Sequence, residues 1–164
     1  MHGPVFSNIG HLIQIAETAF DRSDRLLERS FPRMPGGRRI GAPDRRSRSF
    51  RHALVAIVFA SIAMEAIVFA ELRRTGSKTR AKRVSQMSYR TQLRAVGVTD
   101  EQLLLAAERL QDVRNEIVHE KLIVMGDRAD LRRLRGRTAQ DEARYAVACL
   151  FGLRQHLTIR ADAG

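Results

Sequence analysis

Apolar residues recur at helical spacing through most of this chain, and polar or basic tracts divide the pattern into four main helices. Over 7–30 the stripe Ile9, Leu12, Ile13, Ala16, Ala19, Phe20, Ser23, Leu26 and Leu27 keeps a 3.6-residue period with a polar back, which predicts an amphipathic helix. Residues 53–72 read ALVAIVFASIAMEAIVFAEL and are apolar on nearly all sides. That length matches a membrane span. Glu65 near its middle would cost about 2–3 kcal/mol on insertion scales, and so much alanine makes the run only mildly hydrophobic. The central helix of a bundle, or one buried in a dimer, is the better reading, and a membrane is disfavoured as a partner.

The stretch 31–50 holds Pro32, Pro35, Pro43, Gly36, Gly37, Gly41 and six arginines, so it is predicted to be a flexible basic loop. Residues 73–98 are basic and partly helical, with Gly97 as the stop. Thr99-Asp100-Glu101-Gln102 then has the form of a capping box. In it the Thr99 hydroxyl would serve the backbone N–H of Gln102, with Val98 and Leu103 as the flanking staple. This helix is expected to run to about 124, with Gly126 as its end. A short basic piece at 131–136 follows. The last helix is predicted over 138–158, with Asp141 at the capping position. The expected fold is all-α: an up-and-down bundle of four to five helices, with the basic loop after the first, in a single domain over 1–164.

Composition supports this picture. Aromatics are 5% and Trp is absent, so the core must be built from Ala, Leu, Ile and Val, which suits helices better than a β sandwich. The net charge of +11 points to a polyanion as partner, although 26 of the 29 basic residues are Arg, a bias that genome composition also produces. The lone Cys149 sits in an apolar helical run and reads as an inert buried thiol. One cysteine excludes an internal disulfide framework. The start Met-His-Gly-Pro-Val-Phe lacks signal-peptide character. Both features make the cytoplasm the expected location.

The candidate chemistry lies in Arg114-Asn115-Glu116-Ile117-Val118-His119. A guanidinium grips phosphate oxygens with a fixed fork of donors, and an imidazole moves protons near neutral pH. Together they supply what phosphodiester cleavage needs without a metal. Leu103, Ala106, Ala107, Leu110, Val113, Ile117 and Val118 share one face of the predicted helix, and Arg114 falls inside that stripe. Asn115 and His119 are neighbours on a different face. Arg114 and His119 stand about 140° apart on an ideal helix, so either the helix distorts or two copies pool their residues. An Arg among apolar neighbours needs an anion or must snorkel outward. Glu65 is the obvious mate, either as a structural pair or as the support that holds Arg114 at a phosphate site. Arg45 and Arg46 before His52 repeat the spacing, but in the loop and without Asn. His2 and His11 read as surface residues, and His156 suits the last turns of its helix. No His, Cys or Asp spacing fits a metal, and neither a phosphate-binding glycine loop nor a Gly-x-Ser-x-Gly elbow occurs.

On these residues the chain resembles the HEPN (higher eukaryotes and prokaryotes nucleotide-binding) family, over about 51–160. That family carries Arg, four to six residues and His, with a polar residue after Arg; here these are Arg114, Asn115 and His119. An alanine-rich helix bearing a Glu, like 60–67 with Glu65, commonly precedes the motif. The resemblance implies a metal-independent, cofactor-free ribonuclease acting as a homodimer, often a toxin or antiviral effector with an antitoxin or defence-system partner protein. It implies His119 as acid and base for attack of the 2′-OH, Arg114 as stabiliser of the crowded phosphorus centre, and Asn115 as the residue that orients Arg114 or the phosphate. The product would be a 2′,3′-cyclic phosphate. Arg73, Arg74 and Lys121 are the candidate RNA-backbone contacts. Lys121 stands where some toxins of the family carry a modifiable Tyr, which argues against that route of regulation. A non-catalytic HEPN-like module binding nucleotides or protein is the alternative. A DNA-binding helix-turn-helix is suggested by 92–99, but Leu103, Leu104 and Leu105 in the following helix suit a core rather than base edges.

Overall fold

A computed structural model of the protein describes residues 8–30, 48–120 and 139–162. Among them there are six α-helices and no strand: α1 (Ile9–Ser30), α2 (Arg48–Thr75), α3 (Lys78–Val84), α4 (Tyr89–Ala95), α5 (Glu101–Glu120) and α6 (Ala139–Asp162). The all-α bundle is as the apolar spacing predicts, with two short helices added to four long ones.

The added helices come from the basic tract, and each starts on a serine. The Ser77 hydroxyl accepts from the Arg80 backbone N–H at 3.2 Å, and Ser88 caps α4 in the same way through Thr91 at 3.4 Å. Gly97 closes α4 with φ 91°, a left-handed conformation that other residues adopt only with strain. The start of α5 lies one residue later than the capping box implies: Asp100 Oδ1, not the exposed Thr99, accepts from Gln102 N–H at 2.9 Å. Asp is the stronger cap, and its carboxylate also favours the positive end of the helix. Residues 48–50, assigned to the basic loop from sequence, belong to α2, because no Pro or Gly follows Pro43 to hold the helix back. The rest of that loop, the 121–124 end of the α5 prediction, the 131–136 piece, Ser7 and Thr138 lie outside the described residues. The last helix continues to Asp162, four residues beyond the predicted end, through a stretch without a breaker.

Among the described helices α2 packs against all the others and carries the core. Its Ala53, Ala56, Ala60 and Ala63 are completely buried, alongside Ile57, Met64, Val68 and Leu72. These small residues let neighbouring helices come close, and α1 meets α2 through its own buried Ala16 and Ala19. The Ser23 hydroxyl donates to the Ser49 carbonyl at 2.7 Å, pinning the end of α1 to the start of α2, so the two helices run antiparallel. Helices α5 and α6 are also antiparallel. Arg109 grips Glu142 with two bonds of 2.9 and 2.6 Å at one end of the pair, and Leu103 packs on Gly152 at the other. The Arg109 guanidinium also lies 4.2 Å from the centre of the Tyr145 ring, so its fork and its face are both used. By length and composition α2 could cross a membrane, and 44% of its most apolar window is buried inside the bundle.

Cys149 is buried in α6, and burial pushes its thiol up to about 12. Thiolate is the reactive form. Iodoacetamide at pH 8 should therefore label Cys149 in the native protein roughly a thousandfold more slowly than in denaturant. Rapid native labelling, read by mass spectrometry, would contradict this burial. The folded thiol holds its proton more tightly than the unfolded one. Its contribution to stability is thus complete below about 9.0 and is lost as pH rises towards about 12.

Candidate functional site

The site begins with α2, whose apolar sequence leaves Glu65 as a half-buried carboxylate one turn beyond Ser61. Ser61 is fully buried, and its hydroxyl bonds back to the Ile57 carbonyl at 2.8 Å. From its place in the sequence Glu65 is the expected mate of Arg114. The structure gives it to Tyr89, the first residue of α4: the phenol donates to Glu65 Oε1 at 2.5 Å. Among the described residues Glu65 and Arg114 form no ion pair. Helix α4 touches both α2 and α5, which puts the Tyr89 phenol within reach of the Glu65 carboxylate.

Tyr89 is tied to α5 as well. Its backbone N–H donates to Gln111 Oε1 at 2.8 Å. An N–H in the first turn of a helix has no partner within that helix, so Gln111 serves an otherwise orphaned donor. Only 3% of Tyr89 is exposed. Burial raises the phenol far above its ordinary value; the hydrogen bond to Glu65 and that carboxylate's charge push the same way, while Arg114 and Ser61 oppose them weakly. Tyr89 is thus a protonated donor throughout the physiological range. The charge of Arg114 reaches it from α5.

Arg114 is half-buried on α5, and its Nη1 donates to Asn115 Oδ1 at 3.3 Å. Gln111, Asn115 and His119 follow one another at four-residue intervals along one edge of the helix. The His119 backbone lies in the last turn of α5; its side chain is outside the described residues, as is Lys121. The predicted core face is present in Leu103, Ala107, Leu110 and Val113, with Ile117 packed at its margin. Val118, counted in that stripe from sequence, is 38% exposed, because the arc facing the core ends at Ile117. Leu104 lies in the core, whereas Leu105 is turned outward.

Of the candidate RNA contacts, Arg73 is exposed, and Arg74 is engaged by Glu71 through two bonds of 2.9 and 2.7 Å. A pair held by so exposed a guanidinium is screened by solvent and is readily exchanged for another anion. Arg90 pairs with Glu101 and Glu108, which joins α4 to α5. Separately, His11, Gln14, Thr18 and Arg22 of α1 share one furrow with His52 of α2. His11 and His52 are far apart in the sequence, and only the α1–α2 pairing brings them to one furrow. Among the described residues no cluster of three or more His, Cys, Asp or Glu is placed to hold a metal ion.

Comparison with known protein families, curated proteins and solved structures finds no match to this chain.

Proposed function

We propose that the protein is a metal-independent endoribonuclease of the HEPN type that works as a homodimer. The observation that carries this reading is the state of Arg114: a half-buried guanidinium steadied by Asn115, with the carboxylate expected to neutralise it taken by Tyr89. A half-buried cation whose partner among the described residues is a neutral amide oxygen suits a developing anion better than a fully solvated one. His119, one helical turn beyond Asn115, takes the proton of a ribose 2′-OH. The 2′ oxygen attacks the adjoining phosphorus, the P–O5′ bond breaks, and a proton returned by imidazolium completes the 5′-OH. Arg114 holds the non-bridging oxygens as charge builds there, and a 2′,3′-cyclic phosphate remains. Two copies side by side relieve the angular separation of Arg114 and His119 on one helix. Arg73 is the clearest backbone contact, since Arg74 must first release Glu71. A toxin or antiviral role in the cytoplasm, with an antitoxin or defence partner, follows from the family resemblance alone.

The second reading, a non-catalytic module that binds a nucleotide or a protein, draws on Leu105 and Tyr145, which stand 53% and 51% exposed on α5 and α6. Incubation of wild type and His119→Ala with a synthetic RNA in excess chelator separates the two. Cyclic-phosphate products from wild type, lowered about 100-fold or more in the variant, are expected. Equal cutting by both, or none by either, would leave only the binding module.

A further inference from the structure

We propose that Tyr89 is a positioning residue whose phenol shields the Glu65 carboxylate and so leaves the Arg114 guanidinium available to an incoming phosphate. The inference rests on the reading of Arg114 as the phosphate-binding group. Glu65 and Arg114 carry opposite charges on packed helices, both are half-buried, and the charge of each reaches the Tyr89 phenol between them in the chain of contacts. An ion pair between the two does not form among the described residues, and what stands in its place is the 2.5 Å bond from Tyr89. A phenol satisfies a carboxylate without adding a positive charge. The shield is held from both sides. Gln111 fixes the Tyr89 backbone at 2.8 Å, one turn ahead of Arg114, and Ser88 caps the helix that Tyr89 begins. Burial raises the phenol above its ordinary value, so the donor keeps its proton at neutral pH. Asn115 completes the arrangement with a neutral oxygen that orients the guanidinium without neutralising it.

Tyr89→Phe removes one hydroxyl and keeps the ring that fills the core. The Glu65 carboxylate then turns to Arg114 and draws it off the phosphate. The variant is expected to lose roughly 10–100-fold in kcat/KM for RNA while staying folded by circular dichroism. Tyr89→Phe combined with Glu65→Gln should recover most of that loss, because a neutral amide does not hold the guanidinium. A Tyr89 with a merely structural role would give a double variant no better than the single one. A readout independent of RNA is hydrogen exchange at Arg114 Nε, followed by NMR: slower in Tyr89→Phe than in wild type, and restored in the double variant. Unchanged exchange in Tyr89→Phe, or no recovery in the double variant, overturns the proposal. If the exchange pattern is as expected and wild type does not cut RNA, the ribonuclease reading fails and the shield stands.

Discussion

Arg114→Ala is expected to slow RNA cleavage about a thousandfold while changing the stability of the fold by less than about 1 kcal/mol. The two halves of this result come from one geometry. In the transition state the phosphoryl oxygens gain charge, and removing a fixed donor from a partly desolvated site commonly costs two to three orders of magnitude. Had Arg114 been the structural mate of Glu65, its loss would strand a half-buried carboxylate and cost about 3–5 kcal/mol as well. Tyr89 already serves that carboxylate, so the folding penalty is absent. Arg114→Lys should restore little activity, because an ammonium lacks the planar fork and cannot span from Asn115 to a phosphate. Gel analysis of cleavage beside thermal denaturation of each variant checks both halves. A large drop in melting temperature would return Arg114 to a structural role. Cutting that survives in Arg114→Ala would point instead to the furrow lined by His11, Arg22 and His52.

The long helices were legible because each has a simple cause in the sequence. The stripe of α1 is present in buried Ala16, Ala19 and Ser23, and the all-round apolarity of α2 marks the helix that everything else packs on. The basic tract was harder, since alternating Arg, Lys and Ser give no apolar period. Its helices are fixed by Ser77 and Ser88, local caps that a search for stripes passes over. The start of α5 shows two adequate caps competing, and the carboxylate of Asp100 prevails over the hydroxyl of Thr99. At the candidate site Arg114 and Asn115 are adjacent in the chain, so their contact needs no tertiary structure to bring it about. Tyr89 was not legible in the sequence: it lies 24 residues from Glu65 and 22 from Gln111, and only the docking of α4 between α2 and α5 joins them. Arg109 and Glu142, 33 apart, escaped for the same reason.

Ala60→Leu is expected to be among the most destabilising single changes in the chain, by about 2 kcal/mol, or roughly 4–8 °C in melting temperature. Residues 53, 56, 60 and 63 form a row of alanines on α2 with no exposed surface at any of them. Such a row sets how closely neighbouring helices can approach, and interiors packed to crystal density have no room for three further carbons. Leu must then leave its preferred rotamer or push a neighbour aside. The same change also discriminates between two environments for this apolar helix. On a surface facing lipid, Leu is favoured over Ala and the variant would be neutral or better. Val55→Leu, on the same helix but 39% exposed, is the control and should lie within about 0.5 kcal/mol of wild type. Loss of stability in Ala60→Leu alone ties the face of α2 bearing Ala60 to the interior of the bundle. Equal tolerance of both changes would mean that the alanine row packs less closely than its complete burial implies.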